Sequence, residues 1–278
     1  MTIKVKFLDK RIREQFLKIV AGVSAVLSVI LIFCEIPDNY KITSGIIFLI
    51  LLFIIYLLVW IYANKLAETT LSIGGTSVQI KKGDIFLQEG LKVIPFNEYF
   101  DTIVDDKIIA TNSLNGKYIT DICPNVDELS GKIKENEYLN IPDNIICENV
   151  PRKGGTTKYK LGSSIVIDDY VLTAFSKFNE QNKAELTMLE YINFLLQFWN
   201  EINRVYAQKN VTVPVFGSGI TRFKGGFNNI EVGELLNIML WTFRISETRF
   251  KYPAKLTIVI YKDLFDQINL FSLQEDID

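Results

Sequence analysis

Two apolar runs near the start of the chain, Phe16 to Cys34 and Ile46 to Ala63, constrain its fold more than any other feature. A helix rises about 1.5 Å per residue and the hydrocarbon core of a bilayer is about 30 Å thick, so either run is long enough to cross one. The first holds one charge, Lys18, which lies close enough to its end to snorkel. The second, IIFLILLFIIYLLVWIYA, holds none. The competing reading, a buried core helix, needs a helix that is apolar on every side, which is uncommon in a domain of this size. A cleaved leader fits poorly, because the first run ends at Cys34-Glu35-Ile36-Pro37 without a small-x-small site and a second run follows at once. Two transmembrane helices, about 16–34 and 46–63, are therefore expected. Residues 1–18 carry Lys4, Lys6, Lys10, Arg11, Arg13 and Lys18, whereas the connecting loop has Lys41 beside Glu35 and Asp38. The positive-inside rule then predicts both termini in the cytoplasm, and Lys65, Lys81 and Lys82 after the second run agree.

The expected organisation is an N-terminal segment with two spans over residues 1–69 and a cytosolic domain over 70–278. Composition narrows what that domain can do. The 278 residues contain no histidine, so histidine-based catalysis is excluded, and of three cysteines one, Cys34, lies in the first span. Cys123 and Cys147 lack the paired spacing of a zinc site, and a cytosolic compartment argues against a disulfide between them. From Asn64 onward there are 23 basic and 28 acidic residues, so the electrostatic attraction that drives nucleic-acid binding is missing.

Past the second run, strand-like and helix-like stretches alternate, which predicts an α/β domain with a mixed or parallel sheet. Strands are expected at Ser77 to Lys81, Leu91 to Phe96, Ser164 to Ile167, Tyr170 to Phe175, Val211 to Phe216 and Lys255 to Ile260. Pro214 places the fifth of these near an edge or a bulge. Helices are expected at Glu185 to Ala207 and along the stripe Val232, Leu235, Leu236, Met239, Leu240 and Phe243, with Asn228 and Glu231 as an imperfect capping box. Leu264 to Phe271 reads as a short terminal helix. Between about 103 and 160 the pattern weakens around one helix, Val126 to Glu135, and the stretch reads as an insertion or lid.

Three loops at strand ends hold the candidate chemistry: Lys82-Gly83-Asp84-Ile85, Pro95-Phe96-Asn97-Glu98-Tyr99-Phe100-Asp101-Thr102, and Phe216-Gly217-Ser218-Gly219-Ile220-Thr221-Arg222. Ligands of open α/β sheets gather beyond the carboxyl ends of strands, so the three loops can share one crevice. Each motif alone has an ordinary reading. Gly83-Asp84 is a common turn. Gly217-Ser218-Gly219 is a flexible loop, although its successive N–H groups also make a concave anion site. No Gly-Lys-Ser/Thr follows, so it is not an NTPase phosphate loop. Arg222 can add charge to a phosphate or lie solvated at the surface.

Taken together, the Gly-Asp-Ile turn and the Val-Pro-Val-Phe-Gly-Ser-Gly-Ile strand and loop resemble the macro domain over roughly residues 75 to 272. The stretches Asn97 to Thr102, Ser113-Leu114-Asn115-Gly116 and Thr173 to Phe178 are similar to the divergent macro domains of bacterial antiviral systems. Joined to two spans, the chain resembles the membrane-anchored macro effectors of type II Thoeris antiphage defence. That resemblance implies a macro-like three-layer α/β/α domain with a mixed sheet, seated at a bacterial inner (plasma) membrane. It implies as ligand an ADP-ribose derivative, histidine-linked, made from NAD by a TIR-domain partner, and no further cofactor or metal. Asp84 would accept from the adenine amino group with Ile85 beside the base, and Gly217, Ser218, Gly219 and Ile220 would cradle the diphosphate. Asn97, Asp101 and Thr102 would line the distal end, where Asp101 or Glu98 suits a cationic group or simply caps a turn. Hydrolytic macro domains follow their asparagine with a glycine-rich loop, and Glu-Tyr-Phe-Asp-Thr follows Asn97 here. The expectation is a non-enzymatic sensor that assembles into a homo-oligomer and breaches the lipid bilayer. The alternatives are a membrane-tethered hydrolase of ADP-ribosyl groups or nucleotide signals, and a scaffold with a vestigial pocket.

Overall fold

The computed structural model describes residues 3–246, 250–251 and 253–274. These form two compact units, one of residues up to Thr69 together with those from Ile268 onward, the other spanning Thr70–Gln267. The C-terminal stretch thus groups with the N-terminal unit, unlike the sequence division at 70–278, because Phe271 packs among Val5, Ile12, Val59 and Ala63.

The first unit contains α1 (Lys10–Phe33) and α2 (Asp38–Lys65). Both are long and apolar enough to cross a membrane. They outrun the apolar stretches because polar turns continue each helix. The Asp9 side chain starts α1 by accepting from the Arg11 N–H at 2.9 Å, and Pro37 precedes α2. Val26, Ile32, Phe33, Ile47, Leu49 and Phe53 remain exposed. The N-terminal segment lies along the end of α2, held by the buried Asn64. Its Oδ1 accepts from the N–H groups of Lys4 and Val5 at 2.8 and 3.0 Å, and its Nδ2 donates to the carbonyls of Val5 and Trp60. Trp60 Nε1 adds a 2.9 Å bond to the Val5 carbonyl.

The second unit runs in chain order through β1 (Glu68–Ile73), β2 (Thr76–Lys82), β3 (Leu91–Asn97), α3 (Leu114–Lys117), α4 (Val126–Glu135), β4 (Ile145–Cys147), β5 (Lys158–Tyr159), β6 (Ser164–Ile167) and β7 (Tyr170–Phe178). It continues through β8 (Ala184–Leu186), α5 (Met188–Val205), β9 (Val211–Pro214), β10 (Arg222–Phe223), α6 (Val232–Ile245) and β11 (Leu256–Ile260). The main sheet has the order β1-β2-β11-β9-β3-β7-β8-β10, with β6 also paired to β7. From β2 to β7 the neighbours are parallel, while β6 and β8 run antiparallel to β7, so the sheet is mixed. The central strands read as near-continuous apolar runs because helices cover both faces.

On one face Ile94, Phe96, Leu172 and Ala174 pack against Tyr118 and Ile119, which follow α3, and against Leu129 and Ile133 of α4. Residues 103–160 therefore form a packed layer rather than a loose excursion. On the other face Phe175 meets Tyr191 and Phe194 of α5, and Trp199 of α5 meets Phe243 of α6 at 5.0 Å between ring centroids. Helix α5 begins at Met188, later than its periodicity predicts, because Thr187 and Glu190 form a capping box there. At α6 the Glu234 carboxylate accepts from the Glu231 N–H, so the cap lies three residues beyond the predicted Asn228. The terminal helix expected at Leu264 to Phe271 is two short 3-10 turns, Phe265–Gln267 and Leu270–Gln274.

Pro214 lies in the middle of the sheet, not near an edge as its type suggests. Strand β9 follows β11 as far as Pro214, but it pairs with β3 only through Leu91 and Lys92. The ladder on the β3 side has opened before the proline is reached, so its missing N–H breaks no bond there. The two strands part toward their carboxyl ends, and the opening between them is the base of a cleft.

Candidate functional site

The cleft has a volume of about 310 Å³ and lies at the carboxyl ends of the parallel strands. Its walls come from Gly83–Phe86 after β2, Pro95–Asn97 at the end of β3, residues between Ile108 and Lys117, Phe175, Ser176 and Phe178 of β7, Ala184 of β8, Pro214–Thr221 from the end of β9, Val259–Tyr261 at the end of β11 and Leu264. Among the described residues, Asp84 and Lys117 are the charged side chains that line it.

The turn after β2 is fixed at both ends. The Gly83 N–H donates to the Ile260 carbonyl at 3.0 Å, tying it to β11. Asp84 Oδ1 accepts from the Phe86 N–H at 3.0 Å and caps the Ile85–Leu87 turn, while Ile85 is buried against the cleft wall. Asp84 is thus a turn cap and a lining carboxylate at once, with Oδ2 outside the cap.

The loop after β9 turns through Gly217, whose φ of 80° lies in the left-handed region, and a Cβ there would come within 2.7 Å of the Phe223 ring. Ser218 folds back, its Oγ donating to the Val215 carbonyl at 2.7 Å. The N–H groups of Gly219 and Ile220 have no acceptor among the described residues. Successive unpaired N–H groups in such a turn suit an anion.

The distal residues sort differently. Asn97 lines the cleft, but its Oδ1 accepts from the N–H groups of Tyr99 and Asp101, and its Nδ2 donates to Asp101 Oδ2 at 3.0 Å. Asp101 is fully buried away from the lining and holds a bidentate pair with Arg152, at 2.8 and 2.9 Å, plus the Gly155 N–H at 2.7 Å. Thr102 Oγ1 shares a 2.9 Å bond with Ser130 Oγ. Arg222 is exposed on β10, in register with Glu185 of β8. Asp84, Ile85, Asn97, Gly217, Ser218, Gly219 and Ile220 are therefore brought together, whereas Asp101, Thr102 and Arg222 are not. The physical reason is partnership: Arg152 and Ser130 occupy the first two, and the third faces solvent. Glu98 also lies off the cleft, buried beside Lys158 at 3.3 Å with Oε1 accepting from the Phe178 N–H. Burial pushes its pKa above the usual carboxylate range, against the smaller lowering effect of Lys158.

Two lining residues lie where the sequence pattern was weak. Asn115 is buried with Oδ1 lacking any hydrogen-bond partner among the described residues, and Lys117 reaches toward Tyr261. The Ser113 N-cap on α3, accepting from the Gly116 N–H at 2.9 Å, orients both.

The family profile described as "Thoeris protein ThsA, Macro domain" matches residues 78–261. This chain belongs to the ThsA family. Its match to Thoeris protein ThsA of Bacillus amyloliquefaciens (strain Y2) is 41% identical over 273 residues, covering 96% of this chain and 90% of that protein. The chain is thus a Thoeris antiphage defence protein with a ThsA macro domain. Among solved structures, the Oceanobacillus iheyensis macrodomain with ADP matches at 13% identity and a TM-score of 0.46, covering 74% of this chain and 95% of that one. The same macrodomain with MES bound matches at 14% and 0.45, over 72% and 91%. Within the ThsA macro domain, the matched segment contains the cleft lining apart from Leu264.

Proposed function

We propose that this protein is a membrane-seated, non-enzymatic sensor of an ADP-ribose-derived signal, histidine-linked ADP-ribose, that a TIR-domain partner supplies during infection. The observation that carries the reading is the pairing of Asp84 with the Gly217–Ile220 loop across one cleft. Asp84 keeps one carboxylate oxygen for the adenine amino group, and the unpaired N–H groups of Gly219 and Ile220 suit the diphosphate. The orphan Oδ1 of Asn115 offers a further acceptor to a ligand hydroxyl or N–H. Binding rather than hydrolysis is supported by Asn97, whose amide oxygen is occupied by its own loop and so is poorly placed to orient a water.

The membrane part of the reading rests on α1 and α2, whose exposed Val26, Ile32, Phe33, Leu49 and Phe53 need an apolar surround. The bacterial inner membrane with both termini cytoplasmic follows from the flanking lysines and arginines. Ligand binding shifts the chain toward a homo-oligomer whose helices breach the bilayer, which requires the assembled state to bind the signal more tightly than the resting one.

The test is calorimetric titration of the full chain in detergent with ADP-ribose and its histidine conjugate, followed by dye leakage from liposomes. The expected result is tight binding without turnover, a preference for the conjugate, loss in Asp84→Ala, and ligand-dependent leakage. Steady release of product would favour the hydrolase instead, and absence of binding to either ligand would refute the sensor.

A further inference from the structure

Among the described residues, Lys117 is the one basic side chain in the cleft lining, which also holds Asp84, and it forms no salt bridge. Its ammonium lies instead 5.3 Å from the centroid of the Tyr261 ring, which is half-exposed after β11. Lys262 approaches the same ring at 5.9 Å. Two ammonium groups beside one ring repel each other, and a cation–π contact at an exposed site is weak. A dianionic group would satisfy both charges better than the ring does. The geometry points to Lys117 as the charge contact for the ligand's diphosphate: the lysine leaves Tyr261 and closes on the phosphates from the α3 side, while the N–H groups of Gly219 and Ile220 meet them from the loop after β9. Lys262, outside the lining, adds field rather than contact.

This deepens the nucleotide-signal reading and rests on it. The α3 position makes the contact specific, because Ser113 caps the helix and Gly116 follows the buried Asn115, so the stem of Lys117 starts from a fixed backbone. A point charge on a flexible stem suits an anion whose exact placement is set by backbone donors elsewhere.

The experiment titrates the full chain in detergent with ADP-ribose and, by competition, with adenosine, at about 50 and 300 mM salt, spanning the range over which exposed charges become screened. Lys117→Gln is expected to weaken ADP-ribose binding about tenfold, the loss of one charge-assisted contact, and to flatten its salt dependence. Adenosine, which has no phosphate, is expected to bind both forms equally, Lys117→Arg to retain most of the affinity, and Lys262→Gln to change it less than threefold. Unchanged ADP-ribose binding in Lys117→Gln, with the wild type binding normally, would overturn the lysine assignment alone. An equal loss for adenosine would overturn it too, because the residue would then act by shaping the Tyr261 wall. No wild-type binding of ADP-ribose would overturn the nucleotide reading and this inference with it.

Discussion

Asp101→Ala separates a structural carboxylate from a ligand-reading one. In the structure its two oxygens accept four hydrogen bonds: two from Arg152, one from the Gly155 N–H and one from Asn97 Nδ2. Its side chain is wholly buried and that of Arg152 is 13% exposed, so truncation strands a nearly buried guanidinium. Removing one partner of a buried pair costs about 3–5 kcal/mol, a large share of a domain stability of about 5–15 kcal/mol. For a unit of this size each kcal/mol lowers Tm by about 2–4 °C, so the fall is on the order of 10 °C. The guanidinium also stacks on the Tyr99 ring at 4.0 Å and donates to the Gly155 carbonyl at 2.8 Å. These contacts stay in the mutant and place the cost toward the lower end. Thermal melts of the full chain in detergent, followed by near-ultraviolet circular dichroism, read the shift, and ADP-ribose titration below the melting range reads the affinity. Asp101→Asn, which keeps the shape and two acceptor lone pairs, should lose less. An unchanged melt combined with abolished binding would refute the structural assignment and return Asp101 to the ligand.

Gly155→Ala attacks the same clamp from the other side, since a Cβ there would meet the Tyr99 carbonyl oxygen at 2.3 Å; denaturant unfolding should show a loss of at least about 1 kcal/mol, as overpacking costs typically 1–3. Glu98 has a folded pKa raised by desolvation, so the folded state holds its proton longer and stability falls as pH rises above the ordinary glutamate range. Glu98→Gln should remove that downward slope in Tm as pH rises above the ordinary glutamate range, and an unchanged slope would show that Lys158 compensates the burial. Gly217→Ala forces an L residue into the left-handed region at about 1–2 kcal/mol and crowds Phe223; both stability and ADP-ribose affinity should drop, and a neutral outcome in both would contradict the rigid loop. Asn64→Ala leaves the Lys4 and Val5 N–H groups without their acceptor, so trypsin should cut after Lys4 and Lys6 faster than in the parent chain.

Much of the frame was legible because it is local. The strands at Leu91 and Ser164, the helix at Val126–Glu135 and the two apolar helices follow from periodicity, charge and turn residues that lie within a few positions of one another. What depends on distant pairing was not. Strands β8 and β10 have three and two residues and exist only through their neighbours. Pro214 reads as an edge or bulge residue until β3 is seen to part from β9. Asp101 reads as a free carboxylate because Arg152 lies far along the chain, and Thr102 as a free hydroxyl because Ser130 does. Asn115 and Lys117 are not legible as site residues because they sit where polar, turn-rich sequence hides a short helix that folds against the sheet.

The chemistry of the cleft bears on how a signal could act through it. To move a two-state equilibrium from 1:99 to 99:1, a ligand must prefer one state by about 10⁴-fold, near 5.5 kcal/mol. A lysine contact of about tenfold supplies roughly 1.4 kcal/mol of that even if it forms in one state only. The rest must come from groups that change partners between states. Asn97 and Asp101 are poor candidates, because their bonds are complete and buried. The loop at Gly219–Ile220, with two unpaired N–H groups and an exposed Ile220, and the Lys117–Tyr261 contact are better ones, because each is incomplete as it stands. Under the proposed sensor reading, a switch built from unfinished contacts at the rim, over a floor of Phe96 and Phe216 that stays packed, predicts that substitutions at the rim alter ligand-driven assembly more than they alter folding. Ile220→Ser is the direct case. It should leave Tm unchanged within about 1 °C, since an exposed side chain contributes little to folding, while shifting the ligand concentration that half-assembles the protein in sedimentation. A large loss of Tm with unaltered assembly would place the switch in the core instead.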